Sequence, residues 1–407
     1  MATNFEAPNN TSYDVVIVGG AMYGSSVAWW LSRNPDFTGS VLVVERDPSY
    51  EFTSTAHTNS CIRQQFSAEI NVKISQFGAE FIKNFRDFMA DDEAPNIILQ
   101  SYGYMYLAGD DAFAETLRET QAIQSQLGSG TRHMSAAEIK ADYPFYNVDD
   151  ILAGNHNLID EGYFDGGTIF DWWRKKARAN GAEYCTNEVV SMDLSSDGSK
   201  IENVRLSTGE IISCGKVINC SGPRAVETSR MAGIEIPVEP RKRYTFIFDA
   251  ENPLDQDLPL TIDPSGVHMR TDGQYYLAGC PPTISGADDP AVAYDDFEID
   301  HSIWENYVWP IIANRVPQFE AIKLTNTWAG HYAFNTLDQN AIIGPHTKVE
   351  NFIFVNGFSG HGFQQSPAVG RGVAELITYG EYRSLDLTPF GYDRIETNTK
   401  FEEKAVI

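Results

Sequence analysis

The feature that most constrains the fold is a glycine-rich turn near the N-terminus, set between a strand-like run and a helix-like run. Residues 14–18 read Asp-Val-Val-Ile-Val, a continuous β-branched run typical of a strand buried on both faces of a parallel sheet. Gly-Gly-Ala-Met-Tyr-Gly follows at residues 19–24, and residues 25–32 are rich in small and apolar side chains. A second strand-like run, residues 41–44, ends at Glu45. This order predicts a βαβ unit that binds a dinucleotide.

Each conspicuous residue of this unit has a physical reason for its place. Gly19 allows the tight turn, and Gly24 lets the helix pack closely on the strand. A pyrophosphate is expected at the helix N-terminus, where free N–H groups favour negative charge, and Glu45 is placed to accept hydrogen bonds from ribose hydroxyls. Ala21 stands where the motif has its middle glycine, so its methyl group makes the approach of the backbone to the pyrophosphate more crowded. The motif alone does not distinguish FAD from NAD.

Composition narrows the class of protein. The 407 residues suffice for two packed domains, and 42% of them are hydrophobic. A net charge of −26 argues against nucleic-acid or anionic-membrane binding. The five cysteines include no Cys-x-x-Cys pair, which predicts neither a metal site nor a disulfide framework and fits a reducing compartment. With a polar N-terminus and no apolar run long enough to span a bilayer, we expect a cytoplasmic protein.

The rest of the chain predicts an α/β fold with an inserted domain. Residues 67–85 have helical apolar spacing, whereas several later runs alternate as strands do: residues 188–190, 204–206, 211–212, 216–220, 244–248, 267–270 and 275–279. Residues 168–171 resemble a capping box that opens a helix closing at Gly181. We expect a discontinuous nucleotide-binding domain from residues 12–92, 152–232 and 338–390. Residues 93–151 and 233–337 are expected to form the second domain.

A second glycine-rich motif lies near the C-terminus. Residues 352–356 are a buried-strand run, and residues 357–367 carry three glycines around His361 before a helix predicted from residue 368 to about 378. Backbone N–H groups at such a helix start would stabilise negative charge, such as that on the N1–C2=O edge of a reduced flavin.

The two ends together resemble the D-amino-acid-oxidase superfamily of FAD enzymes, which includes glycine oxidase, sarcosine oxidase and dimethylglycine dehydrogenase. The resemblance rests on residues 15–21 and 357–363 and extends over nearly the whole chain. Residues 62–67, 162–165 and 336–340 resemble the branch near the mitochondrial complex I assembly oxidoreductase and its bacterial relatives. The resemblance implies a Rossmann-type, glutathione-reductase-like FAD-binding domain with an inserted antiparallel-sheet α+β substrate domain.

The resemblance also implies which positions contact FAD. The ADP half would lie against the first glycine turn, the end of the second strand and a backbone position for adenine, which are Gly19, Ala21, Met22, Gly24, Glu45, Arg46 and Val189. The pyrophosphate and the flavin would be lined by residues of four separate stretches, which are Thr55, His57, Thr58, Asn59, Gly222, Gly330, Gly360, His361, Gly362, Phe363 and Gln364.

Three residues are predicted to serve catalysis. Arg63 matches the arginine that pairs with the substrate carboxylate in monomeric sarcosine oxidase, and a planar guanidinium suits that contact. Its alternative is an ordinary ion pair. Arg270 is a second candidate anchor, on a strand of the inserted domain. His361 is either a flavin contact or a turn residue with a structural hydrogen bond, and the sequence leaves both open.

Departures from sarcosine oxidase limit what carries over. Gln364 stands where that enzyme has a lysine anchor, and residues 279–283 offer no match to the lysine that promotes reaction with oxygen. Residues 329–331 contain no cysteine that could attach the flavin. We therefore expect non-covalent FAD and slow reaction with oxygen, while His57 and His331 are kept as candidates for a tether or a substrate contact.

The implied reaction is oxidation of a small amino acid or secondary amine. A hydride would pass from the carbon next to nitrogen to flavin N5, and water would hydrolyse the resulting imine; such chemistry needs positioning and a dry pocket more than a general base. Two alternatives stay open: a dehydrogenase subunit that hands electrons to a protein or quinone, and a flavin-binding assembly factor with little turnover. An electron acceptor and a second copy of the chain are both open as partners.

Overall fold

The β-branched run at residues 14–18 lies at the centre of a parallel sheet in the computed structural model, which describes residues 4–283 and 289–404. The strands of the described chain are β1 Ser12–Val18, β2 Val41–Glu45, β3 Cys61–Ile62, β4 Tyr104–Ala108, β5 Arg132–Ser135, β6 Ala153–Asn157, β7 Gly162–Tyr163, β8 Glu183–Thr186, β9 Val189–Leu194, β10 Ile201–Leu206, β11 Ile211–Asn219, β12 Val238–Ala250, β13 Leu260–Ile262, β14 His268–Asp272, β15 Tyr275–Cys280, β16 Ile322–Asn335, β17 Ile342–Pro345 and β18 Phe352–Asn356. The helices are α1 Met22–Arg33, α2 Glu69–Lys83, α3 Phe85–Met89, α4 Asp111–Gln126, α5 Ala136–Asp142, α6 Gly166–Ala179, α7 Ala225–Arg230, α8 Trp309–Arg315, α9 Gly362–Tyr379 and α10 Asp393–Glu396.

The first sheet has the order β17-β18-β11-β1-β2-β8, with the β9–β10 hairpin continuing from β11. Strands β18, β11, β1, β2 and β8 run parallel, so their carboxyl ends and the turns that follow them meet at one edge. Helices α1, α2, α6 and α9 cover one face, where the Trp29 ring lies 6.0 Å from Trp173 and 5.8 Å from Phe81. Burial of these large apolar side chains fixes the helices over the sheet.

The second sheet has the order β16-β12-β15-β14-β13-β4-β6-β5 and is antiparallel apart from the β13–β4 pair. Helix α8 and the π-helical turn Trp304–Val308 cover it, and Phe246, Phe248 and Phe319 form its buried aromatic centre. Strands β3 and β7 form a separate two-stranded ribbon. Along the chain, β3 precedes β4 and β7 follows β6, so the ribbon strands flank the first three strands of the second sheet. Within residues 4–283 and 289–404, no helix combines the length and the apolar character needed to cross a bilayer.

Strand β6 lies on the other side of the predicted domain boundary. The sequence places residues 152–232 in the nucleotide-binding domain, but β6 pairs with β4 and β5 in the second sheet. Its sequence, Ala-Gly-Asn-His-Asn, has no apolar alternation although all five residues are buried. Hydrogen bonds compensate for the burial of these polar side chains; for example, Asn155 Nδ2 donates to the Leu117 carbonyl at 2.7 Å. The remaining domain boundaries stay a prediction.

Two predicted helix starts are wrong. The structure begins α6 at Gly166, and its cap is Asp165, whose carboxylate accepts hydrogen bonds from the Thr168 backbone N–H at 3.0 Å and from the Thr168 hydroxyl at 2.6 Å. Helix α9 begins at Gly362, so that Pro367 lies inside it. The Ser366 hydroxyl donates to the Phe363 carbonyl at 2.8 Å, which satisfies the acceptor that a proline at position 367 leaves without its helical donor.

Candidate functional site

The first glycine turn follows β1 and has the close contacts that the sequence predicts. Gly19 has a φ of +95°, and a Cβ there would lie 2.6 Å from the Cys220 carbonyl oxygen. A Cβ at Gly24 would lie 1.9 Å from the Gly19 carbonyl oxygen, so helix α1 could not pack here with any larger residue. Gly19 and Ala21 line an elongated cleft that Gly24 does not reach, and Gly24 acts through this packing.

This cleft, of about 470 Å³, runs along the carboxyl edge of the parallel sheet. Glu45, at the end of β2, is buried, and its carboxylate accepts hydrogen bonds from the backbone N–H groups of Gly20 and Asp47, both at 2.8 Å. Burial raises the pKa of Glu45. Val189 lines the same cleft, and Arg46 pairs with Glu188 at 3.4 Å at its exposed rim. The dimensions and the donor set fit the ADP portion of a dinucleotide.

A second cavity of about 250 Å³ continues from the first, because Met22, Thr55, Gly222 and His331 line both. Its lining comes from α1 and the loops at the carboxyl edge of the first sheet and from strands of the second sheet, and it includes the predicted His57, Thr58, Asn59 and Gly330. A Cβ at Gly330 would lie 2.6 Å from the His57 Cβ, so a glycine on β16 is what admits the loop of residues 54–59. His57 Nδ1 is 3.1 Å from the Thr53 carbonyl oxygen.

The C-terminal glycine motif forms one wall of this cavity. Gly360, His361, Gly362, Phe363 and Gln364 line it, so the first turn of α9 borders the cavity. The helix therefore presents N–H groups that lack intrahelical partners, together with the positive end of its dipole. The Tyr23 hydroxyl donates to the Gly362 carbonyl at 2.5 Å and its ring stacks on Phe358 at 4.0 Å, which fixes this wall to α1.

His361 is 5% exposed, and neither of its ring nitrogens has a hydrogen-bond partner within the part of the chain that the structure describes. Burial, with a contribution from Arg63, lowers the pKa of His361 to about 3, so the ring is neutral. An unsatisfied polar ring in a native cavity wall indicates a ligand as the missing partner. The structure shows no ring hydrogen bond of the structural kind within the described residues, and contact of His361 with a flavin stays a prediction.

Arg63 lies at the end of β3 and is buried. Its backbone N–H donates to Gln364 Oε1 at 2.7 Å, its guanidinium donates to the Gln65 carbonyl, and its Cζ lies 3.8 Å from the centre of the Phe66 ring. These contacts fix a cationic group in the wall of the cavity, beside the first turn of α9.

Arg270 is not brought into the lining of either cavity. Its guanidinium pairs with Asp272 at 2.7 Å, donates to the Thr271 carbonyl at 2.7 Å, and lies 4.8 Å from the centre of the Tyr163 ring. Sequence position could not show this, because the compensating Asp272 lies two residues along the same strand and faces it only once β14 is built.

The cavity also includes residues that sequence reasoning did not assign to the site. His268 is buried beside Asn59, whose Nδ2 is 3.2 Å from His268 Nε2, and burial lowers the pKa of His268 to about 4. Arg243 lines the cavity but donates to both carboxylate oxygens of Asp289, at 2.9 and 2.8 Å, so its charge is compensated. The basic cluster at residues 241–243 is the one sequence signal that could have drawn attention to this wall.

The charge of the cavity is opposite to that of the chain. Among the described lining residues none is Asp, Glu or Lys, whereas two are arginines and four are histidines. In a protein with a net charge of −26, such a cavity favours an anionic ligand. The long cleft fits the ADP portion of a dinucleotide, and the adjoining cavity has room for a ring system and a small anion.

Comparisons with known proteins agree with this geometry. Residues 14–376 match the sequence profile of the DAO family, FAD dependent oxidoreductase. The bovine (Bos taurus) FAD-dependent oxidoreductase domain-containing protein 1 is 35% identical over 427 residues, which cover 97% of this chain and 87% of that protein.

Two solved structures share the fold. L-proline dehydrogenase from P. horikoshii superposes with a TM-score of 0.80 at 25% identity, covering 95% of this chain and 98% of that one. Glycine oxidase from Geobacillus kaustophilus has a TM-score of 0.75 at 20% identity, covering 94% and 98%. They confirm the predicted Rossmann-type FAD-binding domain with a substrate domain. The chain belongs to the DAO family of FAD-dependent oxidoreductases.

Proposed function

We propose that the chain oxidises a small amino acid or secondary amine at the carbon next to nitrogen, with FAD held non-covalently. The observation that carries the proposal is the buried Arg63 in a small cavity that adjoins the dinucleotide cleft and has no acidic residue among its described lining. L-proline dehydrogenase, whose structure is similar to this one, is named for an amino-acid substrate of this kind.

Arg63 binds the substrate carboxylate. A guanidinium can donate two parallel hydrogen bonds to a carboxylate, and both are stronger where the cavity lining excludes water. Its contacts with Gln364 and Phe66 restrict its motion, so little side-chain freedom is lost when the substrate binds.

The same wall favours the neutral form of the substrate amine. Arg63 is a cation, and His361 and His268 are neutral because burial lowers the pKa of each, to about 3 and about 4. Among the described lining residues no carboxylate would stabilise an ammonium group. A nearby cation and the low dielectric both disfavour the protonated amine. FAD, when bound, would supply the hydride acceptor for the substrate carbon, and the lone pair of the neutral amine would form the imine bond.

Arg63→Ala tests the anchor, with Arg63→Lys as its matched control. Loss of a buried charge-assisted contact costs about 2 kcal/mol or more, so we expect at least a roughly thirty-fold weaker affinity for a carboxylate substrate. Arg63→Lys keeps the charge but loses the planar guanidinium, so its affinity for the substrate should lie between those of the wild-type protein and Arg63→Ala. Unchanged substrate affinity and unchanged flavin reduction in Arg63→Ala would refute the assignment.

A dehydrogenase that passes electrons to an acceptor other than oxygen is favoured over an oxidase. No lysine lines the cavity among the residues described, which agrees with the lysine missing near residues 279–283 in the sequence. After anaerobic reduction by substrate, we expect reoxidation in air to be slow. Rapid reoxidation would establish an oxidase instead, and a flavin that no substrate reduces would favour the assembly-factor alternative.

A further inference from the structure

The short ribbon of β3 and β7 places a second buried charge beside Arg63. The antiparallel register pairs Cys61 with Tyr163 and Ile62 with Gly162, so the next position along β3, Arg63, lies across from Glu161. The preceding Asp160 has a φ of +56°, and this left-handed turn directs Glu161 inward, where it is 0% exposed.

Glu161 holds the segment that follows Arg63. Its Oε1 accepts hydrogen bonds from the Gln64 backbone N–H at 2.6 Å and from Asn157 Nδ2 at 2.9 Å, and its Oε2 accepts one from Gln65 Nε2 at 2.9 Å. All three donors are uncharged. Because burying a carboxylate costs several kcal/mol and a glutamine could satisfy part of the same network, the retained charge calls for a functional explanation.

Binding of a substrate carboxylate at Arg63 would bring a second carboxylate into the field of the same guanidinium, since the charge of Arg63 already acts on Glu161 and lowers its pKa against the rise caused by burial. Two like charges in a buried site cannot both ionise without a large penalty, so one of them takes up a proton. Burial already raises the pKa of Glu161 to about 7, which makes it the acid nearer to protonation at neutral pH.

The hydrogen-bond network has a place for that proton. Gln65 Oε1 is buried without a hydrogen-bond partner in the described structure, whereas Gln65 Nε2 donates to Glu161. Rotation of the Gln65 amide by half a turn would present Oε1 to a protonated Glu161 Oε2, at the loss of the 3.1 Å hydrogen bond from Gln65 Nε2 to the Tyr104 carbonyl. Gln65 can therefore hydrogen-bond either the charged or the neutral carboxyl of Glu161.

We propose that Glu161 takes up one proton from solvent when the substrate carboxylate binds at Arg63, and that it positions Arg63 through Gln64 and Gln65. This inference rests on the proposed function, since it requires a carboxylate at Arg63. Glu161 is a positioning residue and lines neither cavity.

Other titratable groups also lie around Arg63. Tyr106 on β4 stays neutral, since burial raises its pKa to about 12. Glu403, on the C-terminal segment, accepts hydrogen bonds from the backbone N–H groups of Ser67 and Ala68 and from Asn71 Nδ2, so the test includes Glu403→Gln as a control. His361 on α9 is neutral with a low pKa, so it is the competitor that the test must separate.

The test measures proton uptake directly, with acetate as the probe and the FAD-loaded protein as the sample. Isothermal titration in buffers with different ionisation enthalpies gives the number of protons bound per acetate, independently of turnover. In the wild-type protein we expect uptake that approaches one proton above about pH 7, and a Kd that rises by up to about ten-fold per pH unit there. Glu161→Gln should bind acetate without uptake and with a Kd independent of pH.

Controls separate this inference from the proposed function. Glu403→Gln and His361→Asn should keep the uptake, and Arg63→Ala should lose acetate binding altogether. Acetate binding that does not require Arg63, or no binding to the wild-type protein, would overturn the proposed anchor together with the inference. Arg63-dependent binding without uptake in the wild-type protein, or with uptake that persists in Glu161→Gln, would overturn the inference alone.

Discussion

The buried carboxyl of Glu161 also makes a quantitative prediction for stability. Its pKa is raised from 4.5 to about 7 in the folded protein, chiefly by desolvation, and Glu161 is 0% exposed. A folded-state pKa above the unfolded value means that this group's contribution to stability is fully present below about pH 4.5 and is lost as pH rises to about 7. At about 1.36 kcal/mol per pKa unit, the total loss is about 3 kcal/mol.

We therefore expect Glu161→Gln to gain stability relative to the wild-type protein as pH rises. By the same linkage relation, about 2 kcal/mol of the loss falls between about pH 5.5 and pH 8.5. The assay is urea denaturation at these two pH values, followed by tryptophan fluorescence with FAD in excess. Glu119→Gln is the control for the loss of one carboxylate, because Glu119 is exposed on α4.

A difference between Glu161→Gln and wild type that does not change with pH would refute this reasoning. It would mean that Glu161 titrates alike in the folded and unfolded chain, and proton uptake at this residue would lose its basis. A difference that changes in the opposite direction would mean that Arg63 and the three donors outweigh desolvation.

Three further predictions concern the cofactor and the frame around it. Gly24→Val should abolish FAD retention, because even a Cβ at this position would lie 1.9 Å from the Gly19 carbonyl oxygen. The control Gly167→Ala should retain FAD, because its added Cβ meets only Asp165 Oδ1, at 3.5 Å. A yellow Gly24→Val protein would contradict this prediction. Asp338→Asn should cost about 3–5 kcal/mol in unfolding free energy, because it leaves Arg394 buried without its charged partner at 2.7 Å. The control Asp193→Asn removes an exposed ion pair and should cost at most about 1 kcal/mol. Equal losses would refute the distinction between the buried and the exposed pair. Acid precipitation should release the FAD into the supernatant, and a yellow pellet would show a covalent link instead.

The sequence predicted the structure correctly where the role of a residue depends on its neighbours in the chain. The run from residue 14 to Glu45 forms β1, α1 and β2 in the predicted order, although α1 begins at Met22 and not at residue 25. The β-branched residues, the glycines and the terminal acid each depend on neighbours close in the chain. The C-terminal glycine motif was found for the same reason. Its helix start was misplaced because Pro367 ordinarily marks a helix boundary, and only the tertiary structure shows the Ser366 hydroxyl that lets the helix continue.

Sequence was insufficient where the deciding contact comes from a distant part of the chain. Arg63 and Arg270 look equivalent as lone arginines, and only the folded chain shows that one lines the cavity while Asp272 neutralises the other. Strand β6 carries polar residues whose partners lie on other elements, so its pattern contained no strand signal. Glu161 went unnoticed because its importance depends on its register with Arg63 and not on any motif.

The most direct test of the central claim is the visible spectrum of the purified protein during anaerobic addition of amino acids and N-methyl amino acids. We predict oxidised-flavin absorption that one member of the panel bleaches in the wild-type protein, and that the same concentration fails to bleach in Arg63→Ala. A protein that cannot take up FAD would contradict the cofactor, and a flavin that no member of the panel bleaches would contradict amine oxidation.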